Sequence, residues 1–143
     1  MHLWSKSVPV YQYEFNYQNA PYYFPYMPGF IALASHTIDI QFLFRNWHGG
    51  QLGVNLDQAT GQPRELNSSE TPLSDQMVAL WTNFASTGNP NGSGNSPWPR
   101  FTNQSGAPAI VSENVPSLST FTDPQFAAEH HCAFWDPILG YGT

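Results

Sequence analysis

The run Ile31-Ala-Leu-Ala-Ser-His36-Thr-Ile-Asp39-Ile-Gln-Phe-Leu-Phe44 sets one ionisable pair, His36 and Asp39, inside a largely apolar stretch. Asp39 follows three places after His36, so on a helical start the two side chains share a face. Spacing alone leaves two readings of the histidine open. One is a core imidazole with its hydrogen bonds satisfied. The other is a general base whose proton affinity is set by its surroundings. Residues 38–44 read as a short helix just after His36, with Ile40 and Phe44 on one side and Arg45 at the carbonyl end of its dipole.

Upstream, residues 8–15 are β-branched and aromatic and predict a largely buried strand, with Pro9 tolerated near its start. Residues 16–30 are a loop broken by Pro21, Pro25, Pro28 and Gly29 and dense in Tyr and Phe. It is either the wall of a binding pocket or an aromatic loop packed on the body of the fold. Downstream, residues 47–70 are polar and turn-rich, a surface excursion in which His48 has no partner at ligand spacing; nor have His2, His130 and His131.

The clearest element is a helix that starts at Thr71 as cap, with Pro72 at the first position and Asp75 in the first turn. Met77, Val78, Leu80, Trp81, Phe84 and Ala85 recur at helical spacing and predict a core-facing stripe. Gly88 suits a left-handed cap and Pro90 ends the helix. Trp98-Pro-Arg-Phe101 reads as an anchored loop and residues 109–111 as a short late strand. Residues 125–134 read as a closing helix, docked by His130, His131 and Trp135.

Composition narrows the class. At 143 residues the chain is long enough for one domain. Its 10 Phe, 7 Tyr and 5 Trp supply a core, which excludes a disordered tail. Charged residues are only 10%, a low share that suits a surface facing another part of a larger protein. The net charge of −6, with no basic cluster, argues against a nucleic-acid partner. The one cysteine, Cys132, excludes an internal disulfide, and no metal-ligand spacing occurs. No apolar run is long enough to span a membrane. Asn-x-Ser/Thr triplets begin at Asn67, Asn91 and Asn103 and bear on function only in a glycosylating compartment.

Taken in order, five features resemble the C-terminal quarter to third of type-B carboxylesterases, the family that includes cholinesterases and bile-salt-type lipases. They are the strand at 8–15, the His36 stretch, the helix ending Trp81-Thr-Asn-Phe84-Ala-Ser-Thr-Gly88-Asn-Pro90, the Trp98-Pro99 pair and the closing Cys132-Ala-Phe-Trp135-Asp136. The resemblance implies an α/β fold, the C-terminal portion of an α/β-hydrolase with an incomplete sheet and helices. Residues 1–143 would be the last part of a single domain whose N-terminal part lies outside this chain. It further implies that His36 is the histidine of a Ser-His-Glu/Asp triad. The complete enzyme would act on a small-molecule carboxylic ester without a cofactor or metal. Asp39 stands where the family often carries an acid distinct from the triad acid. Its implied role is to support the His36 loop by satisfying backbone donors, with a plain helix-start charge as the alternative. Cys132 is either a buried thiol or, as in several family members, one half of a disulfide to a distant upstream cysteine.

Serine-dependent ester hydrolysis needs a nucleophile on a sharp turn, commonly Gly-x-Ser-x-Gly, a histidine to take its proton, an acid to orient that histidine, and backbone donors for the oxyanion. No serine here is flanked by glycines two places before and after. In the fold's usual order of Ser, acid, His, only the last member falls in this chain. The expectation is a hydrolase portion that is inactive alone. Two rivals stand beside it: an aromatic-rich module that binds a carbohydrate or protein, and a non-catalytic esterase-like interaction protein.

Overall fold

The computed structural model describes residues 2–25, 27–45, 47, 52–104 and 106–141. Among these, three strands and four α-helices follow a short 3-10 turn: β1 (Gln12–Phe15), α1 (Ile40–Leu43), α2 (Thr71–Thr87), β2 (Pro108–Glu113), β3 (Ser119–Thr122), α3 (Asp123–Glu129) and α4 (Cys132–Leu139). The sheet order is β1-β2-β3, so the class is the expected α/β with a small sheet. The chain divides into two compact units, Met1–Glu14, Pro97–Ser112 and Ser119–Thr143 in the first, Phe15–Ser96 and Glu113–Leu118 in the second.

In the first unit, β2 pairs antiparallel with β3, Ile110 opposite Phe121 and Ser112 opposite Ser119, with a register shift between Pro108 and Ile110. Val10, Phe101, Ala109 and Ile110 form its core, with Phe121 and Phe126 against them. The anchored-loop reading of residues 98–101 holds: Trp98 is buried and its Nε1 donates to the Gln12 carbonyl at 3.0 Å. The expected single closing helix is instead two. Thr122 and Gln125 form a capping box that starts α3, and His131, at φ 52°, breaks the chain before α4. His130 does dock, its Nε2 2.9 Å from Glu14 Oε1. Trp135 does not: α4 buries no residue, and Phe134, Trp135, Ile138 and Leu139 all face outward. Cys132 is a free, half-buried thiol.

The second unit is built on Ile38, Phe42, Leu73 and Met77, with Phe15, Tyr17, Tyr22, Tyr23 and Phe24 packed on them. The aromatic loop is therefore largely a packed one. Helix α2 spans Thr71–Thr87 with Glu70 as its cap, one residue earlier than Thr71, and Gly88 closes it at φ 73°, as its sequence requires. The predicted stripe divides. Leu73, Met77 and Leu80 are buried, whereas Val78, Phe84 and Ala85 are exposed. Arg45 acts on α2 more than on its own helix: Nε donates to Ser74 Oγ at 2.8 Å and Nη2 pairs with Asp75.

The excursion at 52–70 is held by a buried charge cluster. Arg64 grips Glu70 with both guanidinium ends, Nη1 to Oε2 at 2.8 Å and Nη2 to Oε1 at 2.9 Å. Its Nε lies 2.9 Å from Asp57 Oδ2, an ion-pair contact without hydrogen-bond alignment. Tyr17 Oη and the Asn67 N–H also donate to the Glu70 carboxylate, at 3.0 and 2.8 Å. Burial, reinforced by that bond, pushes the Tyr17 hydroxyl up to about 12.

Candidate active site

The His36 run does not start a helix. Residues 33–39 are turns, and α1 begins only at Ile40, so His36 and Asp39 share no helical face. Successive turns carry the chain: Ser35 N donates to Ala32 O at 3.0 Å, Ile38 N to Ser35 O at 3.2 Å and Ile40 N to Thr37 O at 3.2 Å. Ala32 and Ile38 are buried on either side, while His36 between them is exposed. Among the described residues none hydrogen-bonds the imidazole. The satisfied core histidine is therefore excluded for this chain. Exposed apolar side chains flank it in sequence: Phe30, Ile31, Leu33 and Phe44.

Asp39 caps α1 by position only, since its side chain makes no capping bond there. The carboxyl that feels it is Glu113, at the end of β2. Glu113 is wholly buried, and among the described residues neither of its oxygens has a hydrogen-bond partner. Burial first, and the Asp39 charge second, push its carboxyl up to about 8. The Glu113 carbonyl accepts from Asn16 N at 2.8 Å, and Val115, two places on, packs against the Ile38–Phe42 core. Sequence reading passed over Glu113. Its only signal was an acidic residue closing the apolar run Ala109-Ile-Val.

A depression of about 360 Å³ opens on the aromatic loop, lined by Tyr22, Met27, Phe30, Ile31, Ala32 and Gln58 among others. His36 does not line it. His48 lies outside the described residues. Among the described residues no group of three His, Cys, Asp or Glu side chains is placed to hold a metal ion. No helix among them is long and apolar enough to cross a membrane.

Residues 1–135 match the model of the carboxylesterase family. Carboxylesterase 3 of Pongo abelii is 38% identical over 93 residues, 65% of this chain and 15% of that protein. Cocaine esterase of Homo sapiens is 33% identical over 100 residues, 70% of this chain and 16% of that protein. Among solved structures, a thermophilic pNB esterase superposes with a TM-score of 0.59 at 24% identity, over 90% of this chain and 23% of its own. The chain thus spans about a sixth of the length of these curated relatives, and the structural likeness establishes the α/β-hydrolase fold.

Proposed function

From the premise that this chain belongs to the carboxylesterase family, we propose that it is the C-terminal portion of a serine carboxylic-ester hydrolase and supplies the triad histidine, His36. The observation that carries this reading is the exposure of His36 on a fixed turn, within an apolar stretch of the family-matched region. A proton-transfer base must reach its nucleophile's hydroxyl, and an imidazole sealed in a core could not. In the whole enzyme His36 takes the proton of the attacking serine. It then gives a proton to the leaving alcohol and activates water for deacylation. The serine, the acid that orients His36 and the oxyanion donors come from the N-terminal part of the same domain. Asp39 supports the loop and does not orient the ring. The substrate is a small carboxylic ester, and the chemistry calls for no cofactor or metal.

The exposed apolar side chains on α2 and α4 agree with this reading, because apolar helix faces of that kind are normally buried against neighbouring elements.

The 143-residue chain alone is therefore expected to hydrolyse a short-chain p-nitrophenyl ester at the background rate, with His36→Ala indistinguishable from it. Turnover well above background that His36→Ala abolishes would show that the chain is a complete catalyst and overturn the reading.

A further inference from the structure

Two residues without a glycine's freedom bracket His36 in the left-handed region: Leu33, three places before it, at φ 47°, and Thr37, next to it, at φ 74°. A β-branched residue at such a φ is a genuine outlier, and each such residue holds its backbone in a sparsely populated, costly conformation. Strain of this kind persists only where neighbours enforce it, and here each residue has one enforcing side chain.

For Leu33 it is Gln58. The Gln58 amide meets both backbone groups of Leu33, Oε1 accepting from its N–H at 2.7 Å and Nε2 donating to its carbonyl at 2.9 Å. The same Nε2 lies 2.7 Å from the Ala20 carbonyl and 2.9 Å from that of Gln18, which fixes the amide to the chain beneath. For Thr37 it is Tyr23. Thr37 Oγ1 donates to the His36 carbonyl at 2.5 Å and accepts from Tyr23 Oη. The Tyr23 ring is itself wedged edge-to-face against Trp47, with centroids 4.6 Å apart. Between these two clamps the chain is short, and Ile38 anchors it in the core.

We propose that Gln58 and Tyr23 are the positioning residues of His36, holding Leu33 and Thr37 in the left-handed conformation that presents the imidazole outward. The assignment rests on His36 being the base of the hydrolase. Gln58 does so from the excursion, a segment with no other part in the site. Neither side chain need touch substrate.

The test is nuclear magnetic resonance on the 143-residue chain, without substrate. A strong intraresidue HN–Hα nuclear Overhauser effect at Leu33 and Thr37 reports their positive φ, and the His36 Cε1–H resonance reports the ring's surroundings. Gln58→Ala is expected to release Leu33 from positive φ and to speed exchange of its amide about tenfold. Tyr23→Phe, which removes one oxygen, is expected to release Thr37 from positive φ in the same way. Each should shift the His36 resonance while the amides of Met77 and Leu80 in α2 keep their protection. Gln58→Glu, which sets a carboxylate oxygen against the carbonyls of Leu33, Ala20 and Gln18, should release Leu33 at least as fully as Gln58→Ala. Unchanged Overhauser effects, or an unmoved His36 resonance, would overturn the assignment. So would an equal loss of protection in α2, which would make the two residues general stabilisers. Because no ester is turned over, this outcome is separate from the fate of the hydrolase reading.

Discussion

Glu70→Ala is expected to destabilise the chain by about 3–5 kcal/mol, the cost of leaving a buried partner charge uncompensated. Glu70 is wholly buried and accepts four hydrogen bonds, from both ends of the Arg64 guanidinium, Tyr17 Oη and Asn67 N. Removing it strands a guanidinium that is four-fifths buried and leaves, among the described residues, Asp57, the Asn19 carbonyl and the Glu65 carbonyl to hold it. Glu70 also stands at the N-cap position of α2 and accepts from Asn67 N, so its loss loosens the excursion next to the helix start. Against a typical total of about 5–15 kcal/mol, the loss is large. Arg64→Lys should be costly as well, because an ammonium cannot reproduce the two-ended grip. Urea unfolding midpoints at neutral pH measure both. A change below about 1 kcal/mol for Glu70→Ala would mean that the cluster is a surface ornament.

Stability is expected to fall as pH rises from about 4.5 to about 8, because of Glu113. Unfolded, this carboxyl titrates at its ordinary 4.5; folded, burial and the Asp39 charge raise it to about 8. Between those values the folded chain holds a proton that the unfolded chain has released. The stability contributed by that proton is whole below 4.5 and is lost as pH climbs through 8. The slope from this one group is about 1.4 kcal/mol per pH unit, so roughly 3 kcal/mol has gone by pH 7. Glu113→Gln keeps the shape and cannot ionise, so its stability should be several kcal/mol higher than the parent's at pH 8 and similar at pH 4.5. Parallel unfolding curves for the two chains across that range would show that Glu113 is not titrating in the core.

How much of this was legible in the sequence depended on whether the cause was local. Helix α2 was, because Pro72 and Gly88 fix its ends by backbone chemistry that no neighbour alters. The family was legible through the order of motifs around His36. The strained turn was not. Nothing in Thr37 announces a positive φ; the conformation is imposed by Tyr23, fourteen residues away, and by Gln58 acting on Leu33 from twenty-five residues away. The Arg64–Glu70 grip was missed because residues 47–70 read as polar surface, and polarity alone does not separate a solvated charge from a paired one. Strand β3 was missed because Ser-Thr-Phe-Thr carries too weak a pattern, and its pairing with β2 creates it. The Thr122-Asp-Pro-Gln125 capping box was readable and should have moved the closing helix two residues earlier. The apolar lines of α2 and α4 follow from helical spacing, but spacing cannot say which side chains stay exposed.

The most direct measurement joins this chain to the N-terminal part of a carboxylesterase and compares kcat/KM for a p-nitrophenyl ester with and without His36→Ala. In a joined polypeptide that turns the ester over, the account predicts a fall of at least about 10⁴-fold with the protein still folded. Activity retained within about tenfold after that substitution would contradict it, and would leave this chain a carboxylesterase-family portion whose histidine takes no part in acyl transfer.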